Sequence, residues 1–181
     1  MEHFEKTLSS QRLFEGRVIN LRRDEAELEN GARAFREVVE HPGGVAVLAI
    51  TGQDEVLFVR QFRYPMGRVL LELPAGKLEK GEDPALCGMR ELEEETGFAA
   101  DELKPLGQFY PTPGYTNEVL YIFLAQTLTP GRQKLDADEF LSVIAIPFEK
   151  ALQMCLQGEI EDAKTLIALL KYAELRRRES L

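Results

Sequence analysis

Cysteine and histidine are scarce in this chain, with two residues of each type among 181. Cys87 and Cys155 form no Cys-x-x-Cys pair, so we expect two free thiols that are buried or half-buried. His3 and His41 have no patterned partners. This scarcity disfavours a histidine-based zinc site and a catalytic histidine with its usual partners.

Long apolar runs are also missing. The first residues, MEHFEKTLSSQRLFEG, contain no apolar core of the length that a signal peptide needs. No later run approaches the roughly 20 residues of a membrane span. We therefore expect a cytoplasmic protein that has no membrane partner.

Positive charge is in short supply, because 22 Lys and Arg residues face 31 Asp and Glu residues, for a net charge of −9. Nucleic-acid-binding proteins normally present a basic face, so no nucleic-acid partner is expected. If the substrate carries phosphates, divalent cations must neutralise both the substrate and the protein's own carboxylates. The length and the ordinary composition predict a soluble globular fold.

The apolar patterns predict a mixed α/β class. An Asn-Gly turn at Glu29-Asn30-Gly31 joins two β-prone segments, which predicts an N-terminal hairpin or small antiparallel sheet. The segments GVAVLAI and EVLFVRQF are predicted to be two strands of one central sheet. Further strands are predicted at Val69–Leu73, Asn117–Gln126 and Leu141–Ile146, and helices at Pro84–Thr96, Phe148–Leu156 and Asp162–Leu175.

The helix predicted after Asp83 has clear boundaries. Asp83 can cap it, Pro84 suits its first position, and Gly97 can end it in a left-handed conformation. Four residues at helical spacing form a stripe that can pack on a sheet: Ala85, Met89, Leu92 and Thr96.

Glu91, Glu94 and Glu95 share one side of that helix, since they stand at spacings i, i+3 and i+4. Two such charges about 4 Å apart repel by roughly 4 kcal/mol at an effective dielectric near 20. Arg90 can relieve part of this repulsion, and a hard cation could relieve most of it. Oxygen ligands of this kind favour Mg²⁺ or Mn²⁺ over zinc. Taken alone, a glutamate run is more often a solvated helix face.

The segment from Gly76 to Phe98, GKLEKGEDPALCGMRELEEETGF, resembles the Nudix box G-x5-E-x7-R-E-U-x-E-E-x-G-U, in which U is a bulky aliphatic residue. Phe98 fills the last U, and the other fixed positions match. The resemblance to Nudix hydrolases implies an α/β/α sandwich with a mixed sheet, whose box forms a loop, helix and loop that hold metal ions.

Within the box, the resemblance implies particular roles. Glu91 and Glu95 would be the principal ligands of Mg²⁺, with more than one ion in the site, and the backbone carbonyl of Ala75 would join them. Glu94 would be a further ligand or a catalytic carboxylate. Arg90 would orient the glutamates and Glu82 would brace the loop, while Gly76 and Gly97 complete the motif.

Outside the box, the chain resembles the ADP-ribose pyrophosphatases of the superfamily. Pro113 follows Phe98 by 15 residues, and the neighbouring Gly114 and Tyr115 resemble a substrate-binding loop, although a simple turn is the alternative. The segment LDADEF resembles the loop that carries a water-activating glutamate. Glu139 takes that position, and Asp138, one residue earlier, is left open as the alternative.

The resemblance implies three further substrate contacts. Arg63 resembles an arginine that reaches the phosphates, the alternative being a surface arginine at a strand end. Arg36 and Glu37 resemble residues that contact adenine, often across a homodimer formed by exchange of N-terminal sheets. Residues 1–42 are accordingly predicted to be a β segment for dimerisation and adenine contact, and residues 43–181 the Nudix hydrolase domain.

The implied activity is Mg²⁺-dependent hydrolysis of ADP-ribose to AMP and ribose 5-phosphate. Alternatives with the same chemistry are another nucleotide sugar, an oxidised nucleoside triphosphate or a dinucleotide polyphosphate. An alternative of a different class is a sensor that binds ADP-ribose-like ligands without cleaving them. Such domains tend to lose box glutamates and to carry a DNA-binding domain. This chain keeps the glutamates and is acidic, and its length leaves no room for a separate helix-turn-helix domain, so we do not expect a sensor.

Overall fold

The computed structural model describes residues 3–179, and the chain divides into two compact units. The first unit comprises the described residues up to Gly43 together with Tyr110–Val119. Its antiparallel sheet has the order β1-β2-β3, with β1 at Glu5–Glu15, β2 at Asn20–Leu28 and β3 at Arg33–Glu40. This is the small N-terminal antiparallel sheet that the sequence predicted.

The turn between β2 and β3 lies at the predicted Asn-Gly pair. Gly31 has a φ of 81°, and its N–H donates to the Leu28 carbonyl at 2.8 Å. β1 was not predicted, because all of its residues are exposed and no buried side alternates with a solvent side. Residues Tyr110–Val119 join this sheet through Val39, whose N–H donates to the Tyr115 carbonyl at 2.8 Å.

The second unit comprises Gly44–Phe109 and Leu120–Leu181, of which residues up to 179 are described. Its sheets have the orders β7-β4-β10-β9, β12-β5-β6 and β11-β8. A 3-10 turn, Tyr64–Met66, follows β5. The strands are β4 (Gly44–Ala49), β5 (Glu55–Arg63), β6 (Arg68–Glu72), β7 (Ala75–Lys77), β8 (Phe98–Ala100), β9 (Lys104–Phe109), β10 (Leu120–Ala125), β11 (Leu128–Pro130) and β12 (Leu141–Pro147), and the helices are α1 (Pro84–Thr96), α2 (Phe148–Leu156) and α3 (Ala163–Glu179).

Strand β4 is the centre of the second unit, since all six of its residues are buried. Leu48 joins the apolar cluster that contains residues of α2 and α3, whereas Val45 and Val47 join the cluster on the α1 side. Because successive strand residues point to opposite faces, helices cover both sides of β4. Together with the parallel pairing of β4 and β10 and the antiparallel pairing of β4 and β7, this confirms an α/β/α sandwich with a mixed sheet.

One predicted feature of this unit is wrong: β4 and β5 do not belong to one sheet. Only the isolated bridge between Ile50 and Val56 links them, and β5 pairs instead with β6 and β12. A strand has two hydrogen-bonding edges, and both edges of β4 are taken by β7 and β10. A short turn between two apolar runs therefore did not make them partners.

The three helices lie close to their predicted positions. α1 and α2 have the predicted bounds, and α3 continues past Leu175 to Glu179. Within residues 3–179, no helix has both the length and the apolar character needed to cross a membrane. Cys87 and Cys155 are free and buried, as predicted.

Candidate active site

Helix α1 is held at both ends by the residues predicted to define it. The Asp83 carboxylate accepts hydrogen bonds from the N–H groups of Ala85 and Leu86, at 2.9 and 3.1 Å. At the other end, Gly97 adopts a φ of 73° and its N–H donates to the Glu93 carbonyl at 2.9 Å. These caps fix where the helix starts and stops, and hence which side its glutamates occupy.

Arg90 ties three glutamates of the site together. Its guanidinium donates to both Glu82 oxygens at 3.0 and 3.2 Å, to Glu91 at 2.9 Å and to Glu94 at 3.0 Å. The hydrogen bonds from Arg90 lower the pKa of Glu82 to about 2. Glu82 also accepts from the Glu79 N–H at 2.9 Å. The loop before α1 is thereby fastened to the middle of the helix.

Glu95 is the most deeply buried carboxylate of the helix, with 2% relative exposure. It accepts a hydrogen bond from the Ala75 N–H at 2.8 Å, which joins α1 to β7. Burial raises the pKa of Glu95 to about 8, and the negative charges of Glu139 and Glu91 add to the effect. Glu91 and Glu139 therefore lie close enough for their charges to disfavour the ionisation of Glu95.

Glu91 lies against the backbone of β7. A Cβ atom added at Gly76 would overlap the Glu91 carboxylate, so glycine is the residue that lets the strand and the carboxylate approach. Burial raises the pKa of Glu91, while Arg90 opposes this and the charges of Glu94 and Glu139 add to it. The glycine of the box is therefore required at position 76, because any side chain there would displace the Glu91 carboxylate.

The loop that carries Glu139 is anchored to the C-terminal end of α1. Gln133 donates from its side chain to the Glu95 carbonyl at 2.7 Å, and the Lys134 N–H donates to the Glu94 carbonyl at 2.9 Å. These bonds satisfy helix carbonyls that would otherwise lack partners. The charge of Glu139, on this loop, adds to the rise in the pKa of Glu95. No sequence motif indicated Gln133.

Arg63 is held by a buried carboxylate that the sequence did not single out. Its Nε and Nη2 groups donate to the two oxygens of Glu72 at 2.6 and 2.8 Å, and Glu72 is only 1% exposed. Lys164, at the start of α3, also donates to Glu72. The Glu72 hydrogen bond raises the pKa of Arg63 most, and the charge of Glu95 adds to this, which places Arg63 beside the site.

The four other predicted substrate contacts lie in the first unit. Arg36 and Glu37 belong to β3, and Arg36 donates to both oxygens of Glu5 at 2.8 and 2.5 Å. Gly114 and Tyr115 belong to the segment Tyr110–Val119, and Tyr115 is 58% exposed. They are therefore grouped with the N-terminal sheet, whereas the glutamates and Arg63 belong to the second unit.

The donor set of the second unit suits a hard divalent cation. Glu91 and Glu95 are close, largely buried carboxylates. The hydrogen-bond partner of Glu95 among the described residues is a backbone N–H rather than a cationic side chain. Oxygen donors are the ligands that Mg²⁺ and Mn²⁺ prefer. Within residues 3–179, no three Asp, Glu, His or Cys side chains already converge on one point. Glu91 and Glu94 instead contact Arg90.

Comparison with known proteins gives relatives that match almost the whole chain. It is 45% identical over 174 residues to an ADP-ribose pyrophosphatase of Bacillus subtilis (strain 168), covering 95% of this chain and 94% of the relative. It is 42% identical over 173 residues to a methanol dehydrogenase activator of Bacillus methanolicus, covering 94% and 93%. A crystal structure of an ADP compounds hydrolase has the same fold, with a TM-score of 0.85, 23% identity and coverage of 97% and 95%.

Two family models account for most of the chain. Residues 40–169 match the NUDIX domain, which includes every glutamate described above in the second unit. Residues 5–39 match the nucleoside diphosphate sugar hydrolase N-terminal domain, which corresponds to the three-stranded sheet. The motif, the sandwich fold and these matches agree, and this chain belongs to the Nudix hydrolase family.

Proposed function

We propose that this protein hydrolyses the diphosphate linkage of ADP-ribose to AMP and ribose 5-phosphate in a Mg²⁺-dependent reaction. The observation that carries the proposal is the buried Glu95 carboxylate, which lies near Glu91 and Glu139 and has no cationic hydrogen-bond partner among the described residues. The ADP-ribose pyrophosphatase of Bacillus subtilis, at 45% identity, supports ADP-ribose as the substrate.

In this proposal the metal is bound by Glu91, Glu95 and the carbonyl of Ala75, with Glu94 as a further ligand. A bound divalent cation neutralises diphosphate charge and lowers the pKa of a bound water. Mg²⁺ is the proposed ion because all of these donors are oxygens, and Mn²⁺ suits the same donors. More than one ion per site is part of the proposal, since several carboxylates must be neutralised together.

The protein's own groups bind the diphosphate and handle the proton. Arg63 donates to phosphate oxygens with the N–H groups that Glu72 does not use. Glu139 accepts a proton from the water that attacks phosphorus, and the bridging phosphorus–oxygen bond breaks to release AMP and ribose 5-phosphate. Arg36 and Glu37 of the first unit are proposed to contact the adenine in a homodimer, and Gly114 and Tyr115 are proposed to bind the substrate.

A substrate panel tests the proposal. The purified protein is incubated with Mg²⁺ and with ADP-ribose, a guanosine diphosphate sugar, a dinucleotide polyphosphate or an oxidised nucleoside triphosphate, and kcat/KM is compared. We expect ADP-ribose to give the highest value and to yield AMP. A higher value for another compound would overturn the substrate assignment. Tight binding of ADP-ribose without cleavage would instead support a sensor.

A pair of neighbouring variants tests the identity of the water-activating carboxylate. Glu139→Gln is expected to lower kcat by about 100-fold or more, which is the usual contribution of a general base. Asp138→Asn is the matched control, because it removes a charge one residue away in the same loop. Equal losses in both variants would contradict the assignment of Glu139.

A further inference from the structure

The start of α3 contacts the site through buried polar groups that no box residue supplies. Lys164 donates both to Glu72 and, at 2.8 Å, to Asp162. Glu72 in turn binds Arg63 through both of its oxygens. The charges of these four side chains sum to zero, so the network leaves neither cation nor carboxylate uncompensated.

A second set of contacts joins the start of α3 to Leu73, which lies between β6 and β7. The Thr165 hydroxyl accepts a hydrogen bond from the Leu73 N–H at 2.9 Å and donates to Asp162 at 2.6 Å. Thr165 is fully buried. Leu73 lies between Glu72 and the segment that leads to Ala75, so the backbone that carries Glu72 cannot shift without breaking a buried bond.

The arrangement leaves part of the Arg63 guanidinium for a ligand. A guanidinium has five N–H donors in a rigid planar fork, and Glu72 takes the Nε and one Nη2 donor. Among residues 3–179, these two bonds to Glu72 are the hydrogen bonds that the Arg63 side chain donates, and neither uses Nη1. Since the Arg63 side chain is 39% exposed, the remaining edge can meet a phosphate while the other edge stays clamped.

We propose that Lys164 is a positioning residue for the diphosphate subsite, acting on Arg63 through Glu72. The inference rests on the proposed function, in which Arg63 binds the diphosphate. Lys164 compensates one of the two carboxylates, so that Glu72 orients Arg63 while the network as a whole stays neutral. Without Lys164, the network keeps one cation, Arg63, and two carboxylates, Glu72 and Asp162, and this net negative charge attracts a diphosphate less. Buried ion pairs seldom add net stability, and a positioning role accounts for this one.

The test uses Lys164→Gln, which removes the charge and keeps a donor, and Lys164→Arg, which keeps the charge. With the wild type's best nucleoside diphosphate substrate, Lys164→Gln is expected to raise KM by about 10-fold, as is typical when a supporting partner of a site is lost. kcat should change little, because Arg63 holds the diphosphate before and during the reaction. Lys164→Arg should restore KM.

The matched control is Glu161→Gln. Glu161 forms an ion pair with Arg68 of β6 at 2.7 Å. The substitution breaks this pair, which does not include Glu72. It should therefore leave KM unchanged. If Lys164→Gln does not fold, Lys164→Met replaces it in the same test. That variant also removes the Lys164 charge, and Glu72 keeps both hydrogen bonds from Arg63. Thermal melting verifies that each variant is folded.

A double-variant comparison decides whether Lys164 acts through Arg63. In an Arg63→Ala background, Lys164→Gln should have no further effect on KM, because the group that it positions is gone. An additive 10-fold effect there, or an unchanged KM in the single variant, would overturn the inference. If the wild type cleaves no nucleoside diphosphate, the proposed function itself fails, which is a distinct result.

Discussion

Glu72 and Glu95 are two carboxylates with almost the same burial and opposite surroundings. Their relative exposures are 1% and 2%. Burial raises the pKa of both, but Arg63 and Lys164 outweigh burial at Glu72 and lower its pKa, whereas at Glu95 the nearby Glu139 and Glu91 raise it further, to about 8. The fold places two cations beside Glu72 and two further carboxylates beside Glu95.

The difference separates a structural carboxylate from one that can hold a ligand. Burying a carboxylate is costly unless it is paired. Glu72 is paired by two side chains of the protein, so it needs nothing from solution. Among residues 3–179, Glu95 has one N–H as its hydrogen-bond partner and lies near carboxylates that repel it. A bound cation would therefore stabilise the ionised form of Glu95 more than that of Glu72. The charge of Glu95 helps to raise the pKa of Arg63, so the two carboxylates lie in neighbouring parts of the structure.

The largest expected effect comes from Glu95→Gln. Loss of this proposed metal ligand should lower kcat by about 1000-fold at saturating Mg²⁺, which corresponds to several kcal/mol of lost transition-state stabilisation. Glu93→Gln, which alters an exposed glutamate of the same helix, is the control and should retain activity. A near-normal kcat in Glu95→Gln would show that Glu95 does not serve the reaction.

Stability should respond in opposite directions to the two substitutions. Glu72→Gln leaves Arg63 and Lys164 without their carboxylate and should lower the free energy of unfolding by about 3 kcal/mol. Glu95→Gln should instead raise that free energy in metal-free protein at pH 8, because it removes an uncompensated buried charge. Chemical denaturation in the presence of a chelator measures both. A loss of stability in both variants would break the comparison.

The metal-free protein should become less stable as pH rises from about 5 to about 8. The folded-state pKa of Glu95 is about 8 and its ordinary value is 4.5, so the folded state holds a proton in this range that the unfolded chain has released. The loss should be on the order of 2 kcal/mol, discounting the shift for relaxation of the site.

The carboxylate of Glu72 adds no slope in that range, because its folded-state pKa is lowered and its stabilising contribution is lost only as pH falls below its ordinary value. Denaturation curves at several pH values, with and without Mg²⁺, test this. Glu95→Gln should flatten the metal-free curve. The raised pKa of Glu91 should leave a smaller slope just above its ordinary value of 4.5. An undiminished slope in Glu95→Gln would contradict the assignment to Glu95.

The smallest effect is expected at Asp83, a carboxylate that is exposed and satisfied by backbone N–H groups. Asp83→Ala should cost about 1 kcal/mol of stability, the usual value of a helix N-cap. Asp83→Ser, which can still cap the helix, should recover most of it. A loss comparable with that of Glu72→Gln would mean that exposure does not distinguish these carboxylates.

Much of the local structure could be predicted because it depends on neighbouring residues. Asp83, Pro84 and Gly97 predicted the bounds of α1, and the Asn-Gly turn predicted where β2 and β3 meet. The sheet membership of β5 was predicted wrongly, because it depends on which edges of β4 are occupied by strands distant in the sequence. β1 was missed, because its exposed residues carry no burial pattern.

The sequence alone determined the family, the helix that bears the glutamates and the oxygen-only character of its donors, because these depend on residue types at fixed spacing. Only the tertiary structure decided that Glu72 is neutralised by Lys164 and that Glu95 lies near both Glu91 and Glu139. A pKa or an ion pair depends on distances between segments far apart in the chain, and those distances exist only once the sandwich has formed.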